Sequence, residues 1–351
     1  MKIKYLLTLL SVTFGTAYAA TPIVNTIKEQ PPLQTTLLNV VDTSAPTQMN
    51  ISISNIPTSL KDYIISDLDN VVAKQNQNVK VNIIENKFTT TEVLEAVQLG
   101  VIDLAVVSTN DIYNVLKIKD IQLFNLPFLF SSSEDFKKVV NGSPGRLILN
   151  EINENSSLFA LGFVNTGVKN ILGFESYNNV NSFNGKKIGT TSLGINNDKF
   201  SFLGSQAYKL NLNEMPMYLN SNPPFLNGVE ISLEGINENL LNSTAKSITE
   251  LKSEYNTAVI IVNKKWFSNI NKNLATSLIN ETKKWSDNSA KIIESEQEKI
   301  KESLSKNNFT FHNLTDNERD SFKKAVVPVH SLFLSKINKE LLLDAYKTIR
   351  E

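Results

Sequence analysis

The chain has 351 residues, of which 41% are hydrophobic and 20% are charged, and its 35 basic and 35 acidic residues balance. This length is sufficient for two domains with separate cores. A neutral balance without a basic stripe excludes the electrostatic footprint of a nucleic-acid-binding protein. The sequence contains no cysteine, which excludes disulfides, thiol catalysis and zinc–thiolate sites.

The N-terminal segment has the three parts of a secretory signal peptide. Two lysines precede an apolar stretch over residues 5–14, and residues 17–19 are Ala-Tyr-Ala, a typical cleavage site. A stretch of about ten apolar residues is too short to span a bilayer. We therefore expect cleavage near Ala19 and a periplasmic protein. Residues 20–47, rich in Thr, Pro, Asn and Gln, are expected to form a flexible leader.

Strand and helix patterns alternate through the first third of the chain. Thr89 and Glu92 form a capping box at the start of one predicted helix, and Ser131 with Glu134 forms another. The predicted strands are residues 49–53, 79–84, 102–107 and 158–164, and the predicted helices include 60–72 and 89–99. This alternation predicts a doubly wound α/β domain with a largely parallel sheet over residues 48–163.

The segment from Gln98 to Phe130 is the most informative part of this domain. Gly100 follows the last apolar position of a helix, as a C-terminal capping glycine does. Residues 102–107 form a nearly continuous apolar run, typical of a strand buried on both faces. Pro127 lies among large apolar residues, which predicts a rigid elbow built from core side chains.

Residues 164–254 are predicted to form a second α/β domain, and parts of 255–351 are predicted to cross back to the first. A helical pattern over residues 271–306 is long enough to bridge both domains. The other predicted elements are a strand at 187–190, a helix at 200–210, an extended segment at 215–219, a strand at 255–262, a helix capped by Thr315 and Glu318, and a last helix at 341–349.

The sequence offers little catalytic chemistry. His312 and His330 lie eighteen positions apart, and neither has the spacing of a metal ligand pair. The sequence contains no G-x-S-x-G nucleophile elbow, dinucleotide-binding glycine motif or P-loop. We therefore expect no enzymatic activity, no cofactor and no metal. A periplasmic hydrolase remains the enzymatic alternative.

The order of the motifs resembles the DctP-type solute-binding proteins of tripartite ATP-independent periplasmic (TRAP) transporters. The resemblance runs from about Asn50 to the C-terminus. Its motifs are Gln98–Asp103, similar to LxxGxxD; Asn125–Phe130, similar to DLPFLF; Asn141-Gly142 with Gly145; Gly167–Lys169; Asn184–Ile188; and Pro216–Gly228 with Glu234. An ABC-type receptor would share a cleft but not this order.

This resemblance implies a two-domain periplasmic binding protein fold, with an interdomain cleft, crossing strands and a long bridging helix. The domains would close around a small acid by a hinge motion. The implied partners are the solute and the two integral membrane subunits of the transporter, and the receptor is expected to be a monomer. A divergent receptor that acts as a sensor or interaction module without transport is the alternative.

The chain departs from the family at the positions that bind a carboxylate. Gly189 stands where the family has an arginine that grips the ligand, and removing one partner of such a buried charge pair costs roughly 2–5 kcal/mol. Lys169 stands at a second arginine position but cannot form the paired hydrogen bonds of a guanidinium group. Asn220 replaces the usual glutamate. We therefore expect a ligand other than the usual arginine-clamped mono- or dicarboxylate.

Several residues remain as candidates for ligand contact. Lys187 shares a strand face with Gly189, although it is equally well explained as a solvated side chain. Thr89 and Ser108 lie at strand-to-helix ends, where α/β proteins bind ligands, but both are also natural helix caps. The predicted ligand-binding set is Asn55, Thr89, Ser108, Lys169, Lys187, Gly189, Tyr218, Asn220 and Glu234.

Overall fold

The computed structural model describes residues 48–53, 56–74, 79–85, 88–192, 194–236 and 238–351. The predicted signal peptide and leader lie outside these ranges, and so does Asn55. The strands are β1 (Gln48–Ile53), β2 (Lys80–Ile83), β3 (Leu104–Ser108), β4 (Leu158–Gly173), β5 (Lys187–Thr190), β6 (Gln206–Lys209), β7 (Gly228–Ser232), β8 (Ser247–Glu250), β9 (Tyr255–Asn263) and β10 (Thr310–Asn313).

Helices flank these strands along the whole described chain. They are α1 (Thr58–Lys74), α2 (Thr90–Leu99), α3 (Thr109–Leu116), α4 (Ser133–Asn141), α5 (Ser143–Asn155), α6 (Ile195–Phe202), α7 (Met215–Leu219), α8 (Glu238–Leu241), α9 (Lys264–Asn269), α10 (Lys272–Lys306), α11 (Asp316–Val326), α12 (Pro328–Phe333) and α13 (Lys339–Arg350).

The strands form two sheets that share β4. The first sheet has the order β2-β1-β3-β9-β4, with β1 parallel to β2 and β3, and β9 antiparallel to both of its neighbours. The second sheet has the order β10-β8-β4-β7-β5-β6, with β5 parallel to β6 and β7. The chain is thus an α/β protein with two sheets joined by one long strand.

The passage from one sheet to the other occurs within β4. Its register against β9 shifts between Asn165 and Val168, and Gly167 has a φ of 132°, which other residues rarely adopt. Residues before this point pair with β9, and residues from Lys169 onward pair with β7. The predicted boundary between residues 163 and 164 falls on this connecting strand.

Helix α10 packs along both halves. Trp285 is fully buried in the core of the first half, and Ser289 accepts a hydrogen bond of 3.0 Å from the Asn165 backbone N–H. Toward its C-terminal end, Gln297 donates to Glu234 at 2.7 Å, and Leu304 packs in the core of the second half. The helix therefore contacts both sheets, as the sequence pattern predicted.

The elbow at Pro127 is hydrogen-bonded to the second half of the molecule. Phe128 has a φ of 57°, and its backbone N–H donates to the Ser253 carbonyl at 2.7 Å. His330 is buried, and a ring nitrogen lies 2.7 Å from the Pro127 carbonyl oxygen while the other contacts the Tyr346 hydroxyl. This histidine therefore supports the elbow.

Local signals in the sequence were confirmed where both partners lie within one turn. Thr89 with Glu92 and Thr315 with Glu318 form complete capping boxes, and Gly100 caps α2 in the left-handed conformation. The Ser131–Glu134 assignment was wrong by one position. Ser132 caps α4 by accepting from the Asp135 N–H, because the first turn begins one residue later.

Two predicted elements in the second half were wrong. Residues 200–210 are not one helix, because α6 ends at Phe202, Gly204 adopts a φ of 77°, and the chain continues as β6. Residues 215–219 form the short helix α7 rather than an extended segment, with Pro216 in the first turn, where its missing N–H costs nothing.

Candidate functional site

A cleft lies between the two halves of the molecule. It consists of two adjacent cavities of about 330 Å³ and about 600 Å³. Both cavities are lined by Asn110 and Asn114 from α3, by Ser192 after β5, and by Lys209 at the end of β6. Side chains from both sheets therefore line one continuous site, which is called the cleft below.

The topology of the sheets explains why these residues meet. Ser108 and Asn110 follow the carboxyl end of β3, while Thr191 and Ser192 follow the carboxyl end of β5. Lys209 ends β6, which runs parallel to β5 with Lys209 beside Thr190. Ligands of open α/β sheets bind at the carboxyl ends of parallel strands, and here the ends from both sheets face the same cleft.

Amides and hydroxyls dominate the lining. Their positions are fixed by hydrogen bonds: Asn125 donates to Asn110 Oδ1 at 2.9 Å and accepts from the Thr109 hydroxyl at 3.0 Å. The polar, uncharged lining residues also include Asn114, Gln122, Asn196, Asn211, Thr90, Thr166 and Thr191. Amides and hydroxyls both donate and accept hydrogen bonds, so the cleft suits a solute that does the same.

The charges at the cleft surface differ in how they are engaged. Asp111 already accepts from the Ser108 hydroxyl at 2.6 Å and from the Thr90 hydroxyl at 2.9 Å. Lys336 holds its Nζ 4.7 Å from the centre of the Phe333 ring. Lys209 is exposed and lines both cavities, and it makes no ion pair within the described ranges. Lys209 is thus a cation available to a ligand.

Two ion pairs are buried beneath the cleft. Lys169 Nζ lies 2.9 Å from Glu254 Oε1, and Lys199 pairs with Glu230, with both side chains of the second pair fully buried. The Ser253 hydroxyl donates to Glu230 Oε1 at 3.0 Å. These four side chains, called the charge cluster below, carry two positive and two negative charges, so the cluster is neutral as a whole.

Neighbouring charges oppose the effect of burial within the charge cluster. Burial alone disfavours the Glu230 carboxylate, but the charges of Lys199 and Lys169 hold its pKa below the ordinary value. Burial alone would likewise lower the pKa of Lys169, but Glu254 and Glu230 raise it. For Glu230 and Lys169 the partner charges thus outweigh burial, whereas burial still lowers the pKa of Lys199 despite the nearby carboxylates.

The charge cluster reaches the first cavity of the cleft through Asn196 and through its own member Glu254. Asn196 lines the first cavity and donates at 3.3 Å to the Thr190 hydroxyl, which lies 3.3 Å from Glu230 Oε2. The other polar atom of this amide, Oδ1, is buried and has no hydrogen-bond partner within the described part of the chain. Glu254, only 5% exposed, also lines this cavity.

Three of the predicted site residues lie in or next to the cleft. Ser108 lines the second cavity, and Thr89 caps α2 immediately before Thr90, which lines the same cavity. Lys169 lies behind the wall of the first cavity, through its ion pair with Glu254. In the structure Ser108 and Thr89 do cap helices, so the capping role and the position at the cleft both apply.

Besides Thr89 and Lys169, five predicted site residues do not line either cavity. Lys187 Nζ lies 4.3 Å from the centre of the Phe225 ring, and the centre of the Tyr218 ring lies 5.6 Å from the same point. Asn220 accepts from the Thr244 N–H at 2.9 Å, and Glu234 accepts from Gln297. The structure thus engages these side chains elsewhere.

Gly189 is the fifth residue outside the cleft. A Cβ atom at this position would lie 2.9 Å from Leu226 Cδ1 and 3.0 Å from Val229 Cγ1. The face of β5 that carries Gly189 and Lys187 is therefore covered by apolar side chains of the second core. The structure does not bring the predicted clamp position to the cleft surface, because an apolar layer occupies that space.

Sequence reasoning missed Lys209, Asn110, Asn125 and Asn196. Lys209 was hidden by the wrong helix over residues 200–210, although Gly204 is a signal that should have ended that helix. Asn110 and Asn196 lie in the first turns of the helices that follow β3 and β5, where the rule that selected Ser108 would have found Asn110 as well. Asn125 needed the tertiary fold, since its partners lie fifteen or more positions away.

Two sheets joined by a crossing strand, with a polar cleft where strand ends meet, are an arrangement typical of solute-binding proteins. Residues 68–336 match the family described as bacterial extracellular solute-binding protein, family 7, or DctP. This match covers most of the chain, and the chain therefore belongs to that family. The family consists of extracytoplasmic receptors that bind solutes rather than enzymes, and the resemblance found in the sequence motifs was correct.

Relatives extend over nearly the whole length. The C4-dicarboxylate-binding periplasmic protein DctP of Rhodobacter capsulatus is 24% identical over 270 residues, covering 76% of this chain and 80% of that protein. A TRAP periplasmic solute-binding protein from Ochrobactrum anthropi, with its C-terminus bound in the ligand pocket, has a TM-score of 0.79 at 19% identity, covering 86% of this chain and 94% of the other.

A second solved structure extends this comparison. The TRAP periplasmic solute-binding protein of Sulfurospirillum deleyianum, crystallised with bound succinate, has a TM-score of 0.72 at 18% identity and covers 85% of this chain and 98% of its own. These structures share the two-domain α/β fold with this chain. Within the residues that the structure describes, no helix combines the length and the apolar character needed to cross a bilayer.

Proposed function

We propose that this chain is the extracytoplasmic receptor of a TRAP-type transporter. It binds one small polar solute in the cleft and delivers it to two integral membrane subunits. It is exported by a signal peptide cleaved near Ala19 and acts as a monomer. The observation that carries the proposal is that Asn110, from the first half, and Ser192 and Lys209, from the second, line the same two cavities.

A solute bound there contacts both halves at once. It therefore binds more tightly to a closed arrangement than to an open one, which is the requirement for a ligand-driven hinge. Gly167 and the register shift in β4 place a conformationally permissive backbone position between the sheets. We propose residues 48–163 and 164–254, with returning parts of 255–351 and the bridging helix 271–306, as the units that move.

Two observations support the proposed class of solute: what the relatives bind, and how this chain differs from the family at its expected carboxylate-binding positions. One relative is described as binding C4-dicarboxylates, and another was crystallised with succinate. Gly189, which the sequence motifs predict to stand at the family's arginine position, is covered by Leu226 and Val229, and Lys169 is paired with Glu254. We propose that the solute is an organic acid or related compound that is not held by an arginine clamp.

A thermal-shift screen of organic acids, sugars and amines tests the receptor function. A ligand at a hundredfold excess over its Kd stabilises the folded protein by about 2.7 kcal/mol, which gives a clear shift of the melting temperature. The substitution Asn114→Trp fills the cleft from an exposed position of α3 and should abolish the shift. Asn178→Trp, an exposed asparagine outside the cleft, is the matched control and should retain it.

Two results would overturn the proposal. One is the absence of any stabilising compound across the screen. The other is a compound that stabilises wild type and Asn114→Trp equally, because its site would then lie outside the cleft.

A further inference from the structure

We infer that Lys209 binds the single anionic group of a hydroxyl-rich solute in the cleft. This inference rests on the proposed receptor function and specifies the chemistry of its ligand. It identifies the solute class as polyhydroxylated monocarboxylates, of which sugar acids are the common examples. It also identifies Lys209 as the residue that determines specificity for the charged member of such a class.

The buried lysines are not available to a ligand. Lys199 is paired with Glu230, and Lys169 with Glu254. A ligand carboxylate that approached either lysine would have to compete with a carboxylate that is already in place and desolvated. The neutral charge cluster therefore offers no net attraction for an anion, although it contains two positive charges.

Lys209 is placed to supply the missing attraction. It lies at the carboxyl end of β6 and lines both cavities of the cleft. Its ammonium makes no ion pair within the described residues. The described lining carries two lysines, Lys209 and Lys336, and the carboxylate Asp111, while Glu254 is balanced by Lys169. The formal charge of the cleft is therefore +1, which favours a monoanion over a dianion.

The remaining groups require hydrogen-bond donors on the ligand. Asn196 Oδ1 is buried at the first cavity without a partner among the described residues, and a ligand hydroxyl would satisfy it. Glu254 presents a carboxylate to the same cavity and accepts hydrogen bonds only. A simple dicarboxylate has no donor to offer these acceptors when it is ionised.

The amide side chains on the other wall of the cleft also require a ligand that both donates and accepts hydrogen bonds. The side chains of Asn110 and Asn125 are held to each other at 2.9 Å, which fixes one amide against the cleft. Asn114 from α3 and Gln122 add further amide groups to the lining. Because amide groups offer donors and acceptors side by side, they match vicinal hydroxyls, which also do both. The cleft thus combines a small net positive charge with many neutral polar groups.

Calorimetric titration with matched ligand pairs tests the inference. D-Galacturonate carries a carboxylate where D-galactose carries a hydroxymethyl group, and the two are otherwise the same. D-Gluconate adds an open-chain sugar acid to the panel, and succinate adds a dicarboxylate without hydroxyls. We expect a sugar acid of the panel to bind wild type at least tenfold more tightly than its neutral counterpart and than succinate.

Substitution of Lys209 isolates the charge. Lys209→Met should weaken binding of the sugar acid by about ten- to a hundredfold, as for a hydrogen bond to a charged group, and change binding of the neutral sugar less than threefold. Lys187→Met removes the same charge from the same domain outside the cleft and is the matched control. It should leave both affinities unchanged.

The outcomes separate this inference from the receptor function. If succinate binds most tightly, or if Lys209→Met leaves the affinity of the anionic ligand unchanged, the inference is wrong while the receptor function stands. If no panel member binds, the inference is likewise wrong, and the wider thermal-shift screen decides the receptor function separately. If Lys187→Met weakens binding of the sugar acid as much as Lys209→Met does, the effect of Lys209 is one of long-range charge only. That result would also overturn the assignment of Lys209 as the residue that binds the anionic group.

Discussion

The two halves of the molecule bury charge in different ways. In the first half, Asp103 is 7% exposed immediately before β3, and its carboxylate accepts a hydrogen bond from the Asn50 backbone N–H at 2.8 Å. Burial raises its pKa to about 6, because this one backbone contact only partly offsets desolvation. In the second half, the charge cluster is buried more deeply, yet its carboxylate Glu230 has a pKa below the ordinary value.

The difference shows that pairing, rather than depth, sets the charge state of a buried group. A carboxylate with a hydrogen bond but without a counter-charge holds its proton into the weakly acidic range. A carboxylate next to two lysines stays ionised even when solvent is excluded. The consequence for the cleft is that the lysines beneath it are already neutralised, and that specificity for an anion moves to the exposed Lys209.

The largest expected effect comes from breaking the pair that is fully buried. Glu230→Leu leaves the Lys199 ammonium without its nearest carboxylate and should reduce the free energy of unfolding by about 3–5 kcal/mol, as measured by urea denaturation at neutral pH. The double substitution Lys199→Met with Glu230→Leu removes both charges and should recover most of this loss. A single substitution that costs less than about 1 kcal/mol would show that the pair is not desolvated as the structure indicates.

A smaller effect is expected from Asp103, and it depends on pH. Its folded-state pKa of about 6 lies above the ordinary value of 3.8. The stabilising contribution is therefore fully present below about 3.8 and is lost as the pH rises through about 6. Relative to Asp103→Asn, wild type should lose about 2–3 kcal/mol of unfolding free energy between pH 4 and pH 7.

The Asp103 comparison is made on the difference between the two proteins at each pH, so that all other titrating groups cancel. Asparagine keeps a side-chain oxygen for the Asn50 N–H. A difference that stays constant from pH 4 to pH 7 would mean that Asp103 titrates in the folded protein as it does in the unfolded chain.

The smallest effect is expected for an exposed pair of the second half. Lys186 Nζ lies 2.6 Å from Glu175 Oε1, with side chains 29% and 59% exposed. Glu175→Gln should change the free energy of unfolding by less than about 1 kcal/mol, and the change should shrink further in about 1 M salt. A cost close to that of Glu230→Leu would contradict the distinction between buried and exposed pairs.

The first half was largely predictable because its signals are local. The partners Thr89 and Glu92 are three residues apart, and Gly100 marks the end of the same helix. Buried parallel strands such as β3 are continuous apolar runs that stand out in a sequence. Ser108 was found as a cleft residue because its position follows directly from the end of that strand.

The second half was less predictable because its decisive contacts are distant in sequence. Glu230 and Lys199 are 31 positions apart, and Glu254 and Lys169 are 85 apart. No local pattern tells a lysine that will be buried in a pair from one that will be solvated. Whether position 189 faces the cleft or an apolar layer likewise depends on Leu226, which lies next to Gly189 only in the folded chain.

The position of β9 limits how the gene for this protein can be divided into fragments that fold. β9 lies between β3 and β4 in the first sheet, yet it follows strands β5–β8 of the second sheet in sequence. A gene fragment that ended at residue 163 would encode a sheet with a gap, and strands on both sides of that gap would present unpaired edges, which invite aggregation. Residues 164–254 are thus inserted between strands of the first sheet, and recombination cannot separate the first half as a contiguous module.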